Sequence, residues 1–253
     1  MKQTITIDGL PVSYEVTGSG APVVLLHGWG CEAKTMAVIQ NALTPDYQVF
    51  AIDFPGFGST PAPPVAWSTV DYTTLTRRWL AALNIENPIL IGHSFGGRII
   101  IRLVSGGFAA QKIVLTGGAG IKAARPFSYY IKVYSFKAAR MCLEFPLWRA
   151  FTQDIVADMR ARMGSSDYQK ASPVMRETLV KVVNEDLRDL LPHIKTPTLL
   201  LYGENDTATP VRDAKIIEKG IAGSGLVVIK NAGHYAFLDK TNEFLLILRS
   251  FIG

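Results

Sequence analysis

Gly92-His93-Ser94-Phe95-Gly96 sets a serine between two glycines directly after the apolar run Pro88-Ile89-Leu90-Ile91. A strand ending near Ile91 has to turn sharply into a helix over Gly97 to Val104. Such a turn, a nucleophile elbow, holds its central residue in a strained backbone conformation with Oγ projecting above the sheet. Side chains at 92 and 96 would collide there, and Gly97 extends the relief by one residue. No other serine of the chain stands in a GxSxG pattern.

Outward from this turn, short apolar strand signals recur at Val23–Leu26, Val49–Ile52, Ile89–Ile91, Ile113–Leu115, Thr198–Leu201 and Leu226–Ile229, with helix-length segments between most of them. Continuous apolar strands alternating with helices predict a parallel sheet covered on both faces. Gln3 to Ile7 and Val12 to Val16 instead alternate around Asp8-Gly9-Leu10-Pro11, predicting an antiparallel hairpin at the sheet's edge. The expected fold is α/β: a mostly parallel, twisted sheet of about eight strands with helices on both faces. The alternation fails between Gly120 and His193, where helical patterns run over about 126–145, 147–163 and 174–191, broken by Pro146, Gly164-Ser165-Ser166 and Pro173. Residues 1–120 and 196–253 are therefore expected to form the core. Residues 121–195 are expected to form a helical cap inserted after the sixth strand, over the edge where open α/β sheets bind ligands. The helix from Pro126 is apolar on more than one side and carries Lys132, Lys137 and Arg140, which suits an ordinary buried helix, a subunit contact, a membrane-surface contact or a hydrophobic acyl channel with a basic mouth that favours anionic substrates.

The 253 residues, 48% of them hydrophobic, suffice for one large α/β domain with an insertion. The opening residues alternate like a strand and lack the apolar run of a secretory signal, and no apolar stretch reaches membrane-span length, so a soluble cytoplasmic chain without stable membrane insertion is expected. The net charge of +5 is local: residues 121–195 hold thirteen Lys/Arg against eight Asp/Glu, and the rest of the chain thirteen of each. With no binding motif and no long basic run, nucleic acid is not an expected partner. Cys31 and Cys142 lie far apart without ligand-like spacing and read as reduced thiols. Neither a phosphate-binding glycine loop nor a metal-ligand spacing occurs, so no cofactor and no metal is expected.

A serine nucleophile needs a general base oriented by a carboxylate. Asp206 follows Leu199-Leu200-Leu201-Tyr202-Gly203-Glu204-Asn205, in the loop leaving a strand, and His234 stands in Asn231-Ala232-Gly233-His234 after another, just before the final helix. Ser94, Asp206 and His234 thus come in the order Ser, Asp, His, each at the C-terminal end of a predicted strand. Glu204 and Asp213 are less well placed, and the turn after Leu115 offers Thr116, Gly117 and Gly118 instead of a carboxylate. Two oxyanion donors are expected: the N–H of Phe95, next to the nucleophile, and that of Trp29 in His27-Gly28-Trp29-Gly30. His27, His93 and His193 read as structural, with His27 anchoring the oxyanion loop and His93 packed beside the elbow. Asp53 and Ser59 are expected to stabilise the glycine-rich turn they flank.

His27-Gly28-Trp29-Gly30, Asp53-Phe54-Pro55-Gly56-Phe57-Gly58-Ser59, Gly92 to Gly97, Gly203 to Asp206 and Gly233-His234 together resemble the α/β-hydrolase fold superfamily in order, spacing and strand context. The resemblance implies a serine hydrolase with the triad Ser94, Asp206 and His234, and with Trp29 and Phe95 in the oxyanion hole. The expected substrate is a small or medium carboxylic ester, lactone or thioester. The superfamily also includes lyases, acyltransferases, carbon–carbon bond hydrolases and cofactor-free haloperoxidases, and a slow-turnover ligand receptor would use the same residues. His93 resembles the esterase pattern more than the asparagine frequent in carbon–carbon bond hydrolases. Oligomeric state is left open by the sequence.

Overall fold

All six apolar segments are strands in the computed structural model, which describes residues 2–122 and 166–253. The strands are β1 (Lys2–Ile7), β2 (Leu10–Thr17), β3 (Ala21–Leu26), β4 (Tyr47–Ile52), β5 (Ile89–His93), β6 (Lys112–Thr116), β7 (Thr198–Gly203) and β8 (Gly225–Ile229). They form one eight-stranded sheet in the order β1-β2-β4-β3-β5-β6-β7-β8. Only the β1/β2 and β2/β4 pairs are antiparallel. The hairpin is tighter than its sequence suggests: Ile7 pairs with Leu10, so Asp8 and Gly9 alone make the turn, both at positive φ, and Leu10 and Pro11 already belong to β2.

Alternation along the strands divides the interior into two layers. Val24 and Leu26 of β3, Leu90 of β5, Leu115 of β6 and Leu200 of β7 face one layer with helices α2 (Thr69–Ala82), α3 (Phe95–Ser105) and α6 (Val211–Gly220). Val23 and Leu25, Ile91, Val114 and Leu201 face the other, with α1 (Ala37–Leu43) and the final helix α8 (Thr241–Ile252). The period-two pattern of each strand is what serves both layers at once. The two edge strands are less covered: in β8 Leu226 and Val227 are only half-buried and Val228 is exposed, and in β1 only Ile7 is buried.

Strand order reverses around β3 and β5: the chain leaves β3 toward β4 on one side and returns through α2 to β5 on the other. Their C-terminal ends therefore border the crevice where open α/β sheets place ligands. After β6 the described chain resumes with α4 (Ser166–Lys170) and α5 (Pro173–Asn184). The helical pattern of 174–191 is not one helix: α5 stops at Asn184, and a separate 3-10 segment covers Arg188–His193. At the interruption the chain packs against α3. Leu187 N–H donates to Gly120 O (2.9 Å), and Leu187, Leu191 and Ile194 are buried against the α3 layer. Arg98 and Arg102 of α3 hold this junction. Arg98 Nη1 donates to Glu185 O (3.0 Å), and Arg102 reaches the Glu185 carboxylate and Thr69 Oγ1. The patterns over 126–145 and 147–163, and Cys142, lie outside the described residues; Cys31 is a free, buried thiol.

Candidate active site

Ser94 sits at φ 48° and ψ −107°, the left-handed side of the map that residues with a Cβ seldom enter. The backbone is fixed there from both sides. Ser94 N–H donates to Thr116 O (3.1 Å), while its carbonyl accepts from Gly97 N (3.0 Å) and Ala119 N (3.0 Å). The glycines are sterically required: a Cβ at Gly96 would stand 2.0 Å from Leu26 O, and one at Gly92 2.8 Å from Gly96 C. Although Ser94 is the N-cap of α3, its side chain makes no capping bond, so the hydroxyl is not committed to the helix.

Asp206, three residues beyond β7, and His234, in the loop after β8, meet with Nδ1 of the imidazole 2.8 Å from Oδ2 of the carboxylate. A one-turn helix, α7 (Ala236–Asp239), stands between His234 and the final helix. The Asp206 side chain is fully buried and that of His234 is 20% exposed. Oδ1 of Asp206 accepts from the amides of Ala208 and Thr209 (both 2.9 Å), and the Thr209 hydroxyl lies 2.8 Å from Oδ2. Burial pushes the Asp206 carboxyl up, but hydrogen bonds from His234 and Thr209 outweigh it and hold the group below the ordinary aspartate value. With an ionised acceptor at Oδ2, the imidazole proton belongs on Nδ1, which leaves Nε2 as the free base.

The loop after β3 carries the other expected donor. Gly96 N–H donates to His27 O (3.1 Å), tying this loop to the nucleophile turn. His27 Nε2 accepts from Phe54 N–H (3.0 Å), so its Nδ1–H donates to Gly28 O (2.7 Å), and burial lowers its pKa to about 4. Among the described residues, the amides of Trp29 and Phe95 donate no hydrogen bond within the protein. Their side chains meet edge to face at 5.6 Å, within a group of aromatic rings that also holds Phe54, Phe57 and Tyr72. A Cβ on Gly28 would lie 2.7 Å from His93 Nδ1 and 3.4 Å from Ser94 Cβ, so only glycine lets the loop come this close.

The remaining polar groups fall around this centre. His93 packs 4.8 Å from the His234 ring and donates from Nε2 to His234 O (3.1 Å); burial lowers its pKa to about 3. His193 is exposed at the end of the 3-10 segment, away from these contacts. Asp53 accepts from Ala33 N–H (2.8 Å) and Ser59 N–H (2.9 Å), joining the loops after β3 and β4. Glu204 caps Asn231 N–H and Asp213 pairs with Arg212, so neither acid reaches His234. From the segment after residue 165, Met175 covers Gly56 and Asp167 approaches Gly30, which brings α4 and α5 over the loops flanking Ser94. No hydrogen bond joins Ser94 Oγ to His234 among the described residues. Among those residues, no group of His, Cys, Asp or Glu is arranged to hold a metal ion, and no helix is long and apolar enough to cross a membrane.

Thr209, Tyr202 and the Gly117–Gly118 turn escape the sequence pattern. The Thr209 hydroxyl lies 2.9 Å from Gly117 O and the buried Tyr202 hydroxyl donates to Gly118 O at 2.5 Å. An aspartate followed two and three residues later by amides it can accept from is a turn signal. It marks Thr209 as structural without revealing what its hydroxyl touches.

An eight-stranded, mostly parallel sheet with a strained serine turn at the end of its central strand defines an α/β-hydrolase. The model of the Alpha/beta hydrolase family matches residues 23–245, and the chain belongs to that family. It is 28% identical over 259 residues to the AB hydrolase superfamily protein YisY of Bacillus subtilis (strain 168), covering 94% of this chain and 93% of the relative. It is 26% identical over 254 residues to the pimeloyl-[acyl-carrier protein] methyl ester esterase of Legionella pneumophila (strain Paris), covering 93% and 96%. Among solved structures, an esterase from Exiguobacterium antarcticum superposes over 100% of this chain and 99% of its own, with a TM-score of 0.78 and 26% identity.

Proposed function

We propose that this chain is a serine hydrolase that cleaves a small or medium carboxylic ester, lactone or thioester through an acyl-enzyme on Ser94. The observation that carries this is the 2.8 Å contact between His234 and the Asp206 carboxyl, on the same sheet edge as a serine held at φ 48°. In this mechanism His234 Nε2 takes the Ser94 proton as Oγ attacks the carbonyl, with Asp206 fixing the imidazole tautomer. The Ser94–His234 hydrogen bond forms as substrate enters, since such contacts tighten in the Michaelis complex. The unengaged amides of Trp29 and Phe95 receive the tetrahedral oxyanion, at the positive end of α3. His234 then protonates the leaving alcohol or thiol and activates water to release the acid. Relatives named as esterases support ester hydrolysis over the other chemistries open to the same residues. Residues 121–195 are the helical cap inserted after the sixth strand; at its described end Glu185 O accepts from Arg98 and Leu187 N–H donates to Gly120 O. The enzyme needs no cofactor, works on a small molecule rather than nucleic acid, and resides in the cytoplasm.

The test is the initial rate of p-nitrophenyl ester hydrolysis across acyl chain lengths, with Ser94→Ala protein in parallel. Turnover that is lost in the variant and peaks at one chain length supports a serine esterase and reports the pocket's depth. Equal rates in the two proteins would refute it.

A further inference from the structure

The turn after β6 offers no carboxylate, yet it contacts the Ser94 turn, the loop of Asp206 and the side chain of His234. Thr116 O and Ala119 N–H hold the backbone of Ser94 from two sides. One and two residues along, Gly117 O and Gly118 O face the hydroxyls of Thr209 and Tyr202 from the acid strand and its loop. Gly117 N–H also donates to Leu201 O (2.9 Å). Gly117 lies so close to the ion pair that a Cβ there would stand 3.2 Å from both Asp206 Oδ2 and His234 Nδ1.

Thr209 is the group in this set that touches both the turn and the acid. It is 8% exposed, with its single hydroxyl proton between Gly117 O at 2.9 Å and Asp206 Oδ2 at 2.8 Å, and its oxygen 3.3 Å from His234 Nδ1. We propose that Thr209 is a positioning residue that couples the Asp206–His234 pair to the strained Ser94 turn through the Thr116–Ala119 segment. The inference rests on the roles given above to Ser94, Asp206 and His234. Donated to Oδ2, the hydroxyl proton spreads the carboxylate's charge and moderates its pull on the imidazolium; donated to Gly117 O, it sets the spacing between the two loops. Loss of the hydroxyl leaves a more basic carboxylate against His234, which raises the imidazole's titration midpoint and moves the acidic limb of the rate profile to higher pH.

Other titratable groups around His234 do not supply such a movement. On β5, His93 is held neutral by burial, with a pKa of about 3. Burial pushes the Tyr235 and Tyr202 hydroxyls well above their ordinary value. Asp167 faces Tyr235, Cys31 Sγ contacts the Tyr235 hydroxyl at 3.4 Å, and on α6 Asp213 is paired with Arg212.

The experiment compares Thr209→Val, Thr209→Ser and Tyr202→Phe in the full chain. It measures kcat and KM for p-nitrophenyl butyrate from pH 5 to 9, the His234 ring titration by NMR of histidine-labelled protein, and the melting temperature. Thr209→Val is expected to lower kcat about tenfold with KM little changed, and to raise the His234 midpoint by about half a pH unit. Thr209→Ser restores both, and Tyr202→Phe, which removes only the support of Gly118 O, lowers the melting temperature without moving the midpoint. Should Thr209→Val fail to fold, Thr209→Ala carries the same expectation. An unmoved midpoint in a folded Thr209→Val, or an equal movement in Tyr202→Phe, overturns the inference. Asp206→Asn runs beside them: full activity there overturns the site assignment and this inference together, whereas loss of activity there with an inert Thr209→Val overturns the inference alone.

Discussion

The turns after β5 and β6 are neighbours in the sheet, and both are built on glycine. They touch so closely that a Cβ on Gly97 would stand 3.0 Å from Gly118 Cα. The first presents one reactive side chain, Ser94, in a strained conformation; the second presents carbonyls and amides and no titratable group. On the roles proposed above, chemistry and support are divided between the two turns. A strained residue persists where its surroundings over-determine it, and the β6 turn is a large part of those surroundings.

The largest effect is expected on the turn that carries Ser94. Ser94→Ala removes the proposed nucleophile and is expected to lower kcat by about 10⁶-fold, measured in steady state against protein whose circular dichroism matches the wild type. Asp206→Asn keeps the shape but upsets the His234 tautomer, and is expected to cost about 10⁴-fold. The supporting turn is tested by Gly117→Ala. At φ +50° the new Cβ strains the backbone and crowds Asp206 and His234, so kcat is expected to fall about 10²-fold. Gly107→Ala is the control, since φ there is +81° with nothing within 4 Å of the added Cβ, and it should change melting temperature but not kcat.

The smallest effect concerns the buried histidines that frame both turns. His27 and His93 have folded-state pKa values of about 4 and about 3, below the 6.5 of an unfolded histidine. Above pH 6.5 each is neutral in both states and contributes no pH dependence. As pH falls from 6.5 toward these folded values, the unfolded chain takes up protons that the native state refuses, and stability drops by up to about 1.4 kcal/mol per pH unit for each histidine. Urea midpoints should therefore decline between pH 7 and 5, with a shallower decline in folded His93→Asn protein. An unchanged slope would mean that His93 takes up its proton equally in the native and unfolded states, contrary to its burial.

What the sequence discloses follows the same division. Ser94, Asp206 and His234 are legible because each is a reactive type at a strand's end, and the strands declare themselves as apolar runs. The nucleophile turn is legible because steric crowding there admits only glycine. The role of the β6 turn is not, because it acts through main-chain atoms that every residue possesses. Thr209 is hidden for a related reason: its place between Gly117 and Asp206 depends on two loops ninety residues apart meeting in space. The break between α5 and the 3-10 segment is missed because Leu187 and Leu191 continue the apolar pattern of α5 and pack into the same layer as its Val182, so the pattern carries no mark of the interruption.

We propose that Ser94 is the nucleophile activated by His234. The most direct test is labelling with a fluorophosphonate, followed by intact mass and peptide mapping of wild-type, Ser94→Ala and His234→Ala proteins. The expected result is one adduct per chain on Ser94 in the wild type, none in Ser94→Ala, and labelling slowed by orders of magnitude in His234→Ala. An adduct of equal yield in Ser94→Ala, or one mapped to another residue in the wild type, would contradict it.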